Sequence, residues 1–256
     1  MATQVYFIGA GPGDPELLTF KGKRIIEQAD VIIYADSLID PRVCSLARSD
    51  AEIYKSASLS LEEITGIILS AVKEGKLVAR LQSGDPTIYG AIGEQMAALK
   101  EHGIDYQVIP GVSSLFAAAA SLKAELTVPD VSQTVIITRV EGRTPVPEGE
   151  SLRSLAAHQA TLAIFLSAGM IERVVQELLE GGYPSETPVA VVYRASWEDE
   201  TVIRAALKDI GGELRGRGIK RQALILVGGV LGLEGKGCRS RLYDKGFSHG
   251  YRKEKL

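Results

Sequence analysis

The sequence predicts an α/β fold made of two α/β domains with mainly parallel sheets. Three observations carry that expectation. Short apolar runs of strand length alternate with longer segments whose apolar residues recur at helical spacing. Glycine-containing turns follow several of the apolar runs, where an open parallel sheet places its binding loops. The alternation starts afresh near SQTVIITRV, and 256 residues suffice for one large domain or two modest ones.

The elements follow in order. VYFIGAG reads as a buried strand, LLTFKGKRIIEQA as the helix after it, and DVIIYADS as a second strand. SLEEITGIILSAVKEGK opens with a capping box, Ser60 with Glu63. It then places Leu61, Ile64, Ile67, Ile68, Ala71 and Val72 at helical spacing and stops at Gly75. KLVARLQSGDP is the next strand and turn, GAIGEQMAALKEHG a helix, and YQVIPGVSS a further strand and turn. SLFAAAASLKAEL is an alanine-rich helix. Such alternation implies a mainly parallel sheet covered on both faces. The second set runs from SQTVIITRV through the Pro/Gly-rich loop EGRTPVPEGE to TLAIFLS, a strand. MIERVVQELLEGG (helix), TPVAVVYRAS (strand), TVIRAALKDIGGEL and QALILVGGV (strand) complete it. The expected domains are 1–128 and 129–256, meeting near residues 127–132.

Charge and cysteine usage exclude several function classes. With 29 basic and 32 acidic residues the net charge is −3, which argues for neither nucleic acid nor membrane as a partner. The distribution is uneven: from Lys236 onward there are seven basic and two acidic residues, against 22 and 30 before it. That cationic tail is either a solvated terminus or a holder of anions. Cys44 and Cys238 match no metal spacing, and the three histidines are scattered, so no metal site is expected. No charged start followed by an apolar core is seen, and no apolar run reaches membrane-spanning length. A reduced cytoplasmic compartment is the expectation.

The first turn, GAGPGDP, tests the idea of a phosphate site. The dinucleotide fingerprint needs G-x-G-x-x-G with free backbone N–H groups at a helix start. Gly9 and Gly11 fit, but the third glycine falls at 13 and Asp14 takes its place. Pro12 removes an N–H, and Asp14–Pro15 is the chemistry of an N-cap followed by a first helical residue. A capping carboxylate repels phosphate from the positive helix end. Asp36, ending the second strand where a ribose-binding acid would fall, is the one point in favour. No G-K-[S/T] is present, so a P-loop is excluded.

The same device recurs in QSGDPTIYG, where Asp85–Pro86 repeats Asp14–Pro15, and IPGVSS makes a third turn after another strand. Asp14 reads best as a cap alone. The second turn gathers Ser83, Asp85 and Tyr89 in one loop and reads better as a site. Carboxylates and hydroxyls without a phosphate cradle suit a ligand that is cationic or rich in hydroxyls and amines. S-adenosylmethionine, with its sulfonium, ammonium, ribose diol and adenine, fits that description.

GAGPGDP, RLQSGDPTIYGA and VIPGVSS resemble the tetrapyrrole (corrin/porphyrin) methyltransferase superfamily over nearly the whole chain. YADSLI, AELTVPDVSQTVIITRVEGRTPVPEGE, VVYRASWEDE and RSRLYDKGFSHGYRK are similar to the branch that methylates ring carbon 11 of precorrin-4 or cobalt-precorrin-4 in cobalamin biosynthesis. The tail leans toward the cobalt-dependent, anaerobic type. The resemblance implies a tetrapyrrole methylase fold with an interdomain cofactor cleft and a homodimer. It implies cofactor contacts from Pro12, Ser83, Gly84, Asp85, Ile88, Ser113 and Ser114. Leu166 to Met170 would add further contacts, and Tyr193, Ala195 and Ala223 would enclose the adenine.

The substrate implied is a reduced tetrapyrrole with many acetate and propionate carboxylates, which an acidic protein must meet with local cations. Arg80, Arg139, Arg143, Arg194 and the basic tail are the candidates, the alternative for each arginine being a solvated surface position. The reaction implied is an in-line displacement in which a ring carbon takes the sulfonium methyl, so positioning and water exclusion fall to the protein. Asp36 or Asp85 is the nearest candidate base. Other readings stay open: methylation of another tetrapyrrole carbon, of the uroporphyrinogen III or precorrin-2 type, or of a protein or RNA target, and a non-catalytic corrinoid-binding protein.

Overall fold

The structure is a computed structural model and describes residues 4–233, 246–248, 250 and 251. It divides into two compact units, Met1–Ala118 with Arg194–Glu200, and Ala119–Tyr193 with Thr201–Leu256.

The first unit is built on five strands: β1 (Val5–Gly9), β2 (Val31–Tyr34), β3 (Glu52–Lys55), β4 (Val78–Gln82) and β5 (Tyr106–Ile109). Their order is β3-β2-β4-β1-β5 and every pairing is parallel. Helices α1 (Phe20–Gln28), α2 (Pro41–Cys44), α3 (Leu61–Lys73) and α4 (Ile92–Glu101) connect them, and α5 (Ser114–Leu122) follows β5. Alternation along the strands gives the sheet two apolar faces. Ile8, Ile32, Ala79 and Leu81 pack with Ile25 and Ile26 of α1. Val5, Phe7, Val31, Ile33 and Val78 pack with Ile64 and Ile68 of α3 and with Ile92 and Leu99 of α4. The capping box of Ser60 and Glu63 is present at the start of α3. The segment LLTFKGKRIIEQA is not one helix, however. Asp14 caps a short 3-10 turn, Pro15–Leu17, and α1 begins afresh with Thr19 as its cap. The edge strand β3 and helix α2 have no counterpart in the sequence reading, because EIYK is mostly exposed and PRVC spans a single turn.

The second unit holds β6 (Val135–Arg139), α6 (Leu152–Ala156), β7 (Thr161–Phe165), α7 (Ile171–Glu180), β8 (Pro188–Tyr193), β9 (Thr201–Ala206), α8 (Ile210–Arg217) and β10 (Ala223–Val227). Its core joins the inward faces of β7, β8 and β10 to Ile171, Val174 and Leu178 of α7 and to Ile210 and Leu214 of α8. The strand order is β6-β7-β10-β8-β9. The α/β class holds in both units, and parallel pairing describes the whole first sheet. The second is mixed: β6 and β7 are parallel, and the other three pairings are antiparallel. The physical reason lies in the chain. TVIRAALKDIGGEL splits into β9 and α8, and β8 reaches β9 through only Arg194–Glu200. A parallel return needs a crossover of about a dozen residues or more.

Candidate functional site

In the first unit the ends of β1, β4 and β5 converge through three glycine turns. Ala10 N–H donates to the Gln82 carbonyl (2.8 Å), and Gly11 and Gly84 exchange two backbone hydrogen bonds (2.8 and 3.3 Å). A Cβ on Gly9 would stand 2.5 Å from Gly111 Cα and 2.7 Å from the Gly84 oxygen, so Gly9 and Gly111 leave each other no room for a side chain. Gly11 and Gly84 also hold left-handed backbone, with φ of 73° and 64°.

Asp85 ties the second turn to the third. Its Oδ1 accepts the Thr87 N–H (2.9 Å) and the Thr87 hydroxyl (2.5 Å), and its Oδ2 accepts the Gly111 N–H (2.9 Å). Burial raises the carboxyl pKa, but the bonds from Thr87 and Gly111 outweigh burial and hold it below the ordinary carboxylate value. A carboxylate so engaged is a fixed anion that positions loops. Ser83 and Ile88 are half-buried in the same turn. The Ser113 hydroxyl accepts the Leu115 N–H (3.3 Å) at the start of α5, where Ser114 is the first residue. Asp36 is exposed and accepts the Ala57 N–H (3.2 Å).

The first turn is clamped by Arg194–Glu200, which belongs to this unit. The carbonyl of buried Pro12 accepts the Trp197 indole N–H (2.8 Å), and Asp14 N–H donates to Ser196 Oγ (3.0 Å). Any Cβ on Gly13 would enter the Trp197 ring, 2.9 Å from its Cγ. Asp14 itself accepts the Glu16 N–H (2.9 Å), the capping role its sequence suggests. Ala195 is buried. The Arg194 guanidinium lies 4.8 Å from the Trp197 ring centroid and pairs with Asp199 (2.7 Å). Sequence reasoning missed Trp197, although it is the chain's one tryptophan.

In the second unit Tyr193 and Ala223 are directly paired across β8 and β10, and Ile164 pairs with Ile225 across β7 and β10. Continuing that register brings Leu166 to the same edge of the sheet as Tyr193 and Ala223. Leu166 and Gln222 both carry left-handed backbone there (φ 54° and 52°). Met170 is half-buried against this unit's core. A cavity of about 660 Å³ opens beside Tyr193, lined also by Thr201, Arg217, Lys220, Arg221 and Gln222. These cations were not among the sequence candidates, though the run RGRGIKRQ signals them.

The sequence-predicted arginines divide. Arg139 donates to the carbonyls of Thr144 (3.1 Å) and Pro145 (2.7 Å), so it braces the Pro/Gly-rich loop. Arg143 is exposed on that loop. Arg194 pairs with Asp199 and lies over Trp197, so part of its charge is already engaged. Arg80 is 5% exposed inside the first unit, and a solvated surface position is excluded. The basic tail from Lys236, Cys238 included, lies almost entirely outside the described residues. Among the described residues no cluster of His, Cys, Asp or Glu suits a metal ion.

The chemistry of the donor set tests the cofactor expectation. The turns Gly9–Pro15, Ser83–Gly90 and Pro110–Ser114 contain no lysine or arginine. They offer backbone carbonyls, hydroxyls and the anionic Asp85. That set fits a cation with a diol and rejects a phosphate chain.

Comparison with known proteins agrees with this chemistry. The family profile of tetrapyrrole (corrin/porphyrin) methylases matches residues 4–211. The chain is 60% identical to a cobalt-precorrin-4 C(11)-methyltransferase of Methanocaldococcus jannaschii, over 98% of this chain and 96% of the relative. It is similar to the X-ray structure of a cobalt precorrin-4 methyltransferase of cobalamin biosynthesis, with TM-score 0.87 and 50% identity over 89% of this chain and 95% of that one. It also resembles a uroporphyrin-III C-methyltransferase from Thermus thermophilus complexed with S-adenyl homocysteine, with TM-score 0.75 and 32% identity over 89% and 93% of the two chains.

Proposed function

The chain belongs to the tetrapyrrole (corrin/porphyrin) methylases, and from that premise we propose that it transfers a methyl group from S-adenosylmethionine to ring carbon 11 of cobalt-precorrin-4 in cobalamin biosynthesis. The observation that carries this reading is the 60% identity, over nearly the full length of both chains, with a relative of that name. A cytoplasmic homodimer completes the proposal. It is supported by the family resemblance.

When bound, S-adenosylmethionine supplies an electrophilic methyl on a sulfonium, and the hard chemistry is its own. The residues that the family resemblance proposes to hold it are Pro12, Ser83, Gly84, Ile88, Ser113, Ser114, Leu166, Met170, Tyr193, Ala195 and Ala223. Asp85 acts through them. By bonding Thr87 and the Gly111 N–H it fixes the second turn against the third, and its negative charge favours a cation nearby. Trp197 fixes the first turn through the Pro12 carbonyl. These contacts set the geometry of attack, and effective concentration is the largest contribution such a site makes. Arg217, Lys220 and Arg221 line a cavity next to Tyr193 and are suited to meet substrate carboxylates.

The test is direct. Incubation with cobalt-precorrin-4 and methyl-labelled S-adenosylmethionine is expected to place the label on carbon 11, read by NMR of the product. Label on another ring carbon, or none on any, would overturn the assignment.

A further inference from the structure

Side chains along β4 alternate between the two faces of its sheet. Ala79 and Leu81 join the apolar cluster with α1, whereas Val78 joins the one with α3 and α4. Arg80 and Gln82 follow Val78 at intervals of two and share its face. Both are buried, 5% and 7% exposed. Arg80 Nε donates to Gln95 Oε1 (3.0 Å). Its Nη1 donates to Ser56 Oγ (3.1 Å) and to the carbonyls of Ile33 and Leu81 (3.3 Å each). Every one of these acceptors is neutral. Among the described residues no carboxylate pairs with Arg80 and its Nη2 has no partner. Two residues nearer the strand-end turn, Gln82 Nε2 is buried and has no partner among the described residues.

Each of these features costs free energy when left as it stands. A buried amide N–H without an acceptor loses its hydration for nothing, and a buried cation among neutral dipoles is poorly compensated. Burial alone pushes the Arg80 pKa down to about 10, which still leaves it charged at neutral pH. The two groups lack the same thing, an acceptor with negative charge.

We propose that Arg80 and Gln82 form a seat for a single carboxylate at the C-terminal end of β4, directly before Ser83–Gly84–Asp85. The inference rests on the tetrapyrrole reading above, whose substrate carries acetate and propionate arms. Arg80 supplies the charge through Nη2, and Gln82 supplies a second N–H that fixes the direction of approach. An arm seated there is held next to the turn that carries Asp85. The seat therefore orients one edge of the macrocycle, a task that exposed cations on flexible stems do poorly. It also explains why the strand keeps two polar side chains on a face otherwise packed with Val, Ile and Phe.

The test uses Gln82→Met, which keeps the shape and removes the donor, and Gln82→Glu, whose carboxylate pairs with Arg80 and fills the seat. Turnover of cobalt-precorrin-4 is measured at varied concentration, alongside calorimetric binding of S-adenosylhomocysteine and thermal melts. Gln82→Met is expected to raise KM for the tetrapyrrole about tenfold, as loss of a hydrogen bond to a charged group does. Gln82→Glu is expected to raise it further. Both variants should keep wild-type affinity for S-adenosylhomocysteine, and Gln82→Met should melt no lower than wild type because it removes an unpaired buried group. Unchanged KM in both variants would sink the seat while leaving the methyltransferase reading intact. Lost S-adenosylhomocysteine binding would also overturn it, by giving the seat to the cofactor's own carboxylate. A lower melting temperature with unchanged KM would make the amide structural. Wild-type protein that fails to turn over cobalt-precorrin-4 would remove the substrate reading and the seat together.

Discussion

The two sheets end in different materials. At the end of the first, backbones come so close at Gly9 and Gly111 that only glycine fits, Gly84 beside them holds left-handed backbone, and Asp85 pins the arrangement. At the end of the second, Leu166 and Gln222 hold left-handed backbone although both carry side chains. Such a conformation costs about 1–2 kcal/mol per residue with a Cβ. Where its three turns touch, the first unit thus makes room by removing side chains, whereas Leu166 and Gln222 keep theirs at the cost of strain, as Tyr89 and Ala91 do just beyond the first unit's contact (φ 53° and 48°). The contrast separates positions where the main chain makes the site from positions where a side chain must.

The sharpest way to break the comparison is Gly111→Ala. The new Cβ would run into the Gly84 carbonyl and stand 2.7 Å from Gly9 Cα, so three backbone segments must move at once. A loss of about 3 kcal/mol or more is expected, with a fall in Tm of roughly 10 °C. Gly66→Ala is the matched control. It lies inside α3 with nothing near its Cβ position, and alanine there should stabilise by up to about 1 kcal/mol. Similar Tm values for the two variants would mean that close approach is not what the strand-end glycines serve.

Asp85→Asn sharpens the same point with a smaller effect. The carboxylate accepts from Thr87 and from the Gly111 N–H, and the amide that replaces it presents a donor to one of them. Because the folded-state pKa of Asp85 is depressed, its contribution is present above the unfolded carboxylate value of about 3.9. It is lost as pH falls through the folded value. Wild type should therefore exceed the variant by about 1–3 kcal/mol at pH 7, with the gap closing on acidification below about pH 4. Denaturant midpoints for both proteins at pH 7 and pH 3 decide the matter. A gap that stays constant with pH would show that the charge of Asp85 contributes nothing.

What was legible in the sequence follows from the same contrast. Glycine and proline punctuate, so GAGPGDP, QSGDP and IPGVSS betrayed their turns and their unfitness for phosphate without any structure. The capping box of α3 and the apolar faces of the first unit were legible for the same local reason. The antiparallel strands of the second unit were not. TVIRAALKDIGGEL carries no proline and no turn pair between its strand and its helix, and pairing direction is a long-range property. Nor could spacing show that Trp197 would lie on Gly13, more than 180 residues away. Arg80 and Arg194 looked alike as isolated cations. Only tertiary structure shows one buried among neutral acceptors and the other paired with Asp199.

The smallest expected effect probes the second unit's side of the comparison. Leu166 is 68% exposed, so its side chain has little packing to lose, yet it holds φ at 54°. Replacing it by glycine relieves about 1–2 kcal/mol of left-handed strain. It also adds unfolded-state entropy that offsets about 0.5–1 kcal/mol of the gain. Leu166→Gly should then be slightly more stable than wild type, by roughly 0.5 kcal/mol. If the leucine is retained to cover the adenine of the cofactor, the same variant should bind S-adenosylhomocysteine several-fold more weakly, about 1 kcal/mol for the lost apolar contact. Stability and affinity would move in opposite directions, which is the signature of strain kept for binding. A variant less stable than wild type would show that the leucine packs in the folded protein. A variant more stable but with unchanged affinity would leave the strained conformation at Leu166 without a function in cofactor binding.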